Sequence, residues 1–169
     1  GMQEPVEREA DLDSLGPTPV QPFYRDSELL TAEYFDISVK NRLTAARRFL
    51  KPLTIVQLQV RGDAPDEELD GKASAAVLDT LRECDTAYVM GTGCLALILE
   101  DTPESGAVWA VERIRRSLSS ADERLTLRAG LACYPAHGMN TQELIAQCAD
   151  AFERAQDWPQ GRIEVAFAD

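Results

Sequence analysis

The stretch Arg82–Leu99, RECDTAYVMGTGCLALIL, constrains this chain most. Its apolar runs on either side of a glycine-containing turn predict a β-hairpin, with strands over Thr86–Met90 and Cys94–Leu99 joined by Gly91–Gly93. The second strand is apolar at nearly every position. A strongly apolar strand of this kind belongs to a sheet with helices against it.

The remaining punctuation supplies those helices. Leu30, Tyr34, Ile37, Leu43, Ala46 and Leu50 recur at helical spacing, predicting a helix from Ser27, capped at Thr31 and ending by Lys51 ahead of Pro52. Leu53–Val60 alternates as a core strand and Arg61–Asp70 reads as a polar loop. Gly71–Arg82 reads as a helix with Ala75, Leu78 and Leu81 on one face. Gly106–Leu118 is a helix with a Val108, Val111, Ile114, Leu118 stripe, and Leu125–Cys133 is a strand. Thr141–Ala155 is a helix with Leu144, Cys148, Ala151 and Ala155 inward, and Arg162–Phe167 is a last strand. The order is α, then β-α-β-β-α-β, then α-β. This predicts an α+β fold with a mostly antiparallel sheet of about five strands and a ferredoxin-like βαββαβ core, flanked by helices. Residues 1–26 are acidic and contain proline, with too little apolar surface to order themselves; they read as a tail or linker before a domain over residues 27–169. Gly1 ahead of Met2 reads as a remnant of tag cleavage and carries no fold information.

Charge and cysteine usage narrow the function. The 29 acids outnumber 17 bases, for a formal net charge of -12. A nucleic-acid surface is basic, so nucleic acid is not the expected partner. No run approaches the ~18 apolar residues of a membrane span, and no signal peptide is present, so a cytoplasmic protein without membrane association is expected. Cys84, Cys94, Cys133 and Cys148 form no CxxC pair, and His137 is the single histidine. They read as reduced thiols and a loop histidine rather than a zinc site. Trp109, Trp158 and Tyr134 read as packing residues.

The C-terminal third, LTLRAGLACYPAHGMNTQELIAQCADAFERAQ, followed by Gly161-Arg162, resembles the GGDEF domain, the diguanylate cyclase family, as does the hairpin YVMGTGCLALIL. The likeness covers roughly residues 28–165 and implies a nucleotide-cyclase/GGDEF-like fold. Aligned on Gly91, the family signature becomes Gly91, Thr92, Gly93, Cys94, Leu95. Its acidic pair is therefore Gly93 and Cys94. The D-x-D pattern that ends the first family strand is Gln59-Val60-Arg61, and the lysine that faces triphosphate is Gln156. Magnesium needs hard oxygen ligands, mainly carboxylates. A neutral amide, a bare glycine, a thiol and an added arginine do not supply them. The expectation is a domain with no catalytic residues, no metal and no cyclase activity.

One family feature is retained in type and spacing. Arg82-Glu83-Cys84-Asp85 stands five residues before Gly91, where the family carries an R-x-x-D inhibitory site for cyclic di-GMP, and the family's further arginine falls on Arg113. Arginine suits guanine O6 and N7 or a phosphate, and a carboxylate suits the guanine N1–H and N2–H edge. The resemblance thus implies a receptor for cyclic di-GMP through Arg82, Asp85 and Arg113. Against it, Arg82 and Asp85 also fit an exposed helix-end ion pair, and Glu83 and Glu112 lie beside the arginines. The second expectation is a ligand-free module on the same fold that forms a homodimer or docks a signalling protein.

Overall fold

The computed structural model describes residues 29–168. In order these are β1 (Leu30–Thr31), a 3-10 turn (Ala32–Tyr34), α1 (Phe35–Phe49), β2 (Leu53–Arg61), α2 (Asp66–Thr80), β3 (Thr86–Gly91), β4 (Cys94–Glu100), α3 (Glu104–Ala121), β5 (Thr126–Tyr134), α4 (Thr141–Gln156) and β6 (Arg162–Val165). The six strands form one sheet in the order β1-β3-β4-β2-β5-β6. The inner pairings are antiparallel, and both edge strands add in parallel.

The sheet buries both faces. Val56, Leu58, Leu97, Leu127 and Leu131 meet Val77 of α2 and Val111, Ile114 and Leu118 of α3. On the other face Ile55, Tyr88, Ile98 and Ala132 meet Val39 and Leu43 of α1 and Leu144 and Cys148 of α4. This explains why β4 reads as an unbroken apolar run, since alternate side chains enter two different cores.

The expected fold class holds with one strand more than the expected five. Only two residues long, β1 pairs Leu30 with Tyr88 and Thr31 with Val89. The first helix begins at Phe35, not Ser27, and Thr31 makes no side-chain cap. Its buried face is Phe35, Val39, Leu43 and Ala46. Leu30 and Tyr34 precede the helix, so their spacing carries no helical meaning. Ile37 and Leu50 from the expected stripe are exposed, because Leu50 sits in the left-handed region at φ 56, past the last helical turn. The second helix starts at Asp66 rather than Gly71 and buries Ala73, Ala76 and Val77, leaving Ala75 outside. Three acids in its first turn, Asp66, Glu67 and Glu68, favour that earlier start against the helix dipole. The proposed tail over residues 1–26 and the helix start at Ser27 lie outside the described residues. No helix among the described residues is long and apolar enough to cross a membrane.

Helix and sheet approach closely at Gly130, where an added Cβ would stand 2.1 Å from the Phe152 backbone nitrogen and 2.5 Å from its Cα. Backbone atoms cannot rotate away as a side chain can. Gly130→Ala is therefore expected to destabilise the domain by about 3 kcal/mol, as overpacking does at its upper range. Urea denaturation measures this, and an unchanged midpoint would mean that α4 does not lie against β5 so closely.

Candidate functional site

The hairpin turn keeps its backbone geometry by a specific set of contacts. Gly93 has φ +62, a conformation that side chains rarely adopt. Its N–H donates to Asp70 Oδ1 at 2.6 Å, and its carbonyl accepts from the Val60 N–H at 2.8 Å. A Cβ there would come within 2.9 Å of the Val60 carbonyl oxygen. Gly91 is under no such demand, since a Cβ on it meets only the Cys94 Cβ, at 3.8 Å. Thr92 is exposed, Cys94 half-buried and Leu95 buried in the core. Burial pushes the Cys94 thiol up, away from the thiolate form. Beside the turn, Gln59 pairs with Cys94 in register and accepts from Arg61 Nε at 3.1 Å. Among the described residues no group of three or more His, Cys, Asp or Glu side chains is placed to hold a metal ion. Asp70, which sequence reading assigned to a polar loop, spends an oxygen on the turn amide. Its role depends on a contact across 23 positions that no local pattern signals.

A separate cleft of about 250 Å³ lies between the end of α2, the end of β4 and the first turns of α3. Arg82, Asp85 and Arg113 all line it, together with Thr102 and Trp109. The three residues singled out in the sequence are therefore brought together, but in unequal states. The Asp85 side chain is only 4% exposed. Its carboxylate accepts from the Arg82 N–H at 3.0 Å, Arg82 Nε at 3.1 Å, Arg82 Nη2 at 3.0 Å and the Glu100 N–H at 3.2 Å. Arg82 Nη2 also donates to the Glu100 carbonyl and to Thr102 Oγ1, each at 2.7 Å. The hydrogen bond to Asp85 raises the Arg82 pKa further. This corrects both sequence readings of the pair. Asp85 faces inward with its oxygens occupied, so it does not offer a free carboxylate edge, and the pair is a staple between helix end and strand end rather than a solvated ion pair.

Arg113 is in the opposite state. It is exposed, and its guanidinium lies 5.0 Å from the centroid of the Trp109 ring. It makes no ion pair with any described residue. Glu112, its sequence neighbour, turns instead to Arg115, accepting from Nε at 3.1 Å and Nη2 at 3.0 Å. Arg115 holds the Glu112 carboxyl below its usual range. Trp109 is 60% exposed, so it is not the packing residue expected, and Trp158 is partly exposed as well. Arg82 Nη1 has no acceptor among the described residues and completes the set of donors available to the cleft. His137 lies in a turn, as expected. It is buried, with Nδ1 accepting from the Cys133 N–H at 2.9 Å and Nε2 3.2 Å from Glu104. This loop histidine is a core connector.

Solved structures similar to this fold include GGDEF domains. That of DgcB from Caulobacter crescentus, in complex with c-di-GMP, matches with a TM-score of 0.74 at 12% identity, over 87% of this chain and 96% of its own. The active GGEEF domain of a diguanylate cyclase from Vibrio cholerae matches with a TM-score of 0.74 at 13% identity, over 85% of this chain and all of its own. The diguanylate cyclase SiaD from Pseudomonas aeruginosa, in complex with its activator SiaC, matches with a TM-score of 0.71 at 14% identity, over 98% of this chain and 69% of its own. These likenesses establish a GGDEF, diguanylate-cyclase-like fold. No family model matches the sequence, and no curated protein does.

The two states of the cleft residues separate in a stability assay. Asp85→Ala strands the Glu100 amide and the Arg82 fork and is expected to cost about 2 kcal/mol. Arg113→Ala removes only an exposed contact with the Trp109 ring and is expected to stay within about 0.5 kcal/mol of the parent. Thermal unfolding of both variants checks this; equal melting temperatures would contradict the staple.

Proposed function

We propose that this chain is a catalytically inactive GGDEF-fold signalling domain that receives cyclic di-GMP in the cleft of Arg82, Trp109 and Arg113. The observation that carries the reading is Arg113: an exposed guanidinium with no acidic partner among the described residues, held over an exposed indole on the wall of a cleft. Cyclic di-GMP offers what such a wall selects. Its guanines carry the O6 and N7 acceptors that an arginine fork matches, its phosphates carry two negative charges, and its bases have flat faces for an indole. Arg82 Nη1 supplies a further donor. Asp85 acts as a positioning residue, fixing the Arg82 fork instead of reading a guanine edge itself. This rests on the retained R-x-x-D spacing and departs from it in the part given to the aspartate.

Catalytic inactivity follows from the hairpin. Condensing two nucleotides requires metal ions to polarise the phosphoryl group and stabilise the leaving pyrophosphate. The positions that the resemblance gives to metal-binding acids hold Gln59, Arg61, Gly93 and Cys94. An arginine next to the turn repels a cation, and neither an amide nor a thiol is the hard ligand that magnesium prefers.

A second reading, a ligand-free interaction module, is favoured by one specific observation. Phe49 and Leu50 at the end of α1 are 64% and 89% exposed, with Leu50 held at a positive φ. Large apolar side chains kept in solvent on a constrained backbone are suited to a protein partner or a second copy of the chain.

Isothermal titration with cyclic di-GMP separates the two readings. The receptor reading expects saturable binding in the micromolar range, weakened about tenfold or more in Arg113→Ala, a loss of about 1.4 kcal/mol. It expects no turnover of GTP with magnesium. Absence of heat with the folded parent, or an unaltered affinity in Arg113→Ala, overturns the receptor reading in favour of the scaffold.

A further inference from the structure

The outer face of α1 carries a charge pattern opposite to that of the chain. Residues 37–51 hold five of the 17 bases, Lys40, Arg42, Arg47, Arg48 and Lys51, and none of the 29 acids. Glu100 pairs with Arg42 and Asp101 with Lys51. That leaves Lys40, Arg47 and Arg48 exposed and without an acidic partner among the described residues. Steps of three and four residues set Ile37, Lys40, Thr44 and Arg47 along one stripe of the helix. The same four line a groove of about 680 Å³ between α1 and the start of α4. Arg47 bridges its walls by donating to the Met139 carbonyl. Apolar surface accompanies the charge, since Ile37 in the groove, Met139 beside it and Leu50 at the helix end are all exposed. A face of this composition fits a segment that is acidic and carries a few apolar side chains.

The chain itself holds such a segment. Residues 3–15, QEPVEREADLDSL, carry Glu4, Glu7, Glu9, Asp11 and Asp13 against a single base, Arg8, with Val6, Leu12 and Leu15 among them. The segment also has the reach. The described chain starts beside β1, and the 3-10 turn after β1 leads directly into α1. With 15 residues, α1 is about 22 Å long, whereas the stretch from Leu15 to Leu29 spans about 40 Å or more when extended. A second copy of the chain is the poorer occupant, because two molecules of net charge -12 repel one another at range. A tethered segment instead meets the helix at an effective concentration in the millimolar range.

We infer that the basic outer face of α1 is the docking surface for the acidic segment of residues 3–15 of the same chain. Its carboxylates pair with Lys40, Arg47 and Arg48, and its apolar side chains cover Ile37 and Met139. One exposed ion pair contributes little, so the face holds the segment by several acting together. A protein partner of this face must then displace the segment. The surface lies on the other side of the sheet from the cleft of Arg113, as α1 and α3 pack on opposite faces, and it does not depend on cyclic di-GMP binding there.

The three lysines of the chain allow a direct test. Lys40 and Lys51 belong to this face, and Lys72 lies on α2 against Asp122, at 2.7 Å. The full chain, kept dilute, is treated with a zero-length carbodiimide cross-linker, which joins an amine only to a carboxylate in contact with it, and the links are mapped by mass spectrometry. Mixing isotope-labelled with unlabelled chain separates links within one molecule from links between copies. The expected result is a link from Lys40 or Lys51 to an acid of residues 4–13 within one molecule, with the Lys72–Asp122 link as the control of the fold. Arg48→Glu, an exposed change, should reduce the former about fivefold or more and leave the control unchanged. Salt near 1 M, which screens charge beyond about 3 Å, should also suppress it. The Lys72 link without any link to residues 4–13, links between copies only, or a yield in Arg48→Glu equal to the parent's overturns the inference.

Discussion

The Asp85 carboxylate is the interaction on which the candidate site depends. A carboxylate this deeply placed must be satisfied where it stands, because an unpaired buried charge is not tolerated. Here it takes hydrogen bonds from the Arg82 backbone, the Arg82 fork and the Glu100 amide. That one group joins the end of α2 to the end of β4. It also orients Arg82 so that Nη2 reaches Thr102, at the threshold of α3. The cleft exists because these three chain segments are held at fixed separation, and Arg113 and Trp109 project from α3 into the space that remains.

In the hairpin, backbone geometry sets a demand that is independent of the side chains around it. Gly93 is required by its positive φ and by its closeness to Val60, whatever chemistry the turn performs. Asp70 Oδ1 and the Val60 amide hold the turn by the backbone N–H and carbonyl of Gly93. The side chains around it are then free to change without loss of the fold, and they read Gln59, Arg61 and Cys94. At the same end of the sheet, arginines accumulate where few acids face them. An acidic chain has therefore concentrated unneutralised positive charge in separate places, at Arg113, around Arg128 and along α1. At physiological salt, screening over about 8 Å lets such local charge act against the overall sign.

Much of this was legible from residues alone. The hairpin, the α3 stripe of Val111, Ile114 and Leu118 and the α4 stripe of Leu144, Cys148 and Ala151 are long, periodic and bounded by turn residues, so local pattern and tertiary burial agree. The N-terminal helix is shorter than its pattern suggests because Leu30 belongs to a strand too short to show alternation, and Leu50 to a left-handed cap. The R-x-x-D spacing singles out residues that line one cleft but not their states, since whether Asp85 faces inward depends on the Glu100 amide, fifteen positions away. Arg128 leaves a visible sign, a charged residue inside the apolar run LTLRAGLAC, yet its lack of an acidic partner among the described residues emerges only when β2, β5 and β6 are aligned. Trp109 gave no sign, because a tryptophan on an amphipathic helix reads the same whether it packs or waits.

The most direct measurement follows the indole itself. With Trp158→Phe, Trp109 is the single tryptophan of the chain, and its emission reports the cleft. Addition of cyclic di-GMP is predicted to quench and saturate that emission, with the effect lost in the Arg113→Ala background. Emission unchanged into the high-micromolar range, with the domain folded, would contradict the assignment of the cleft as the nucleotide-binding surface.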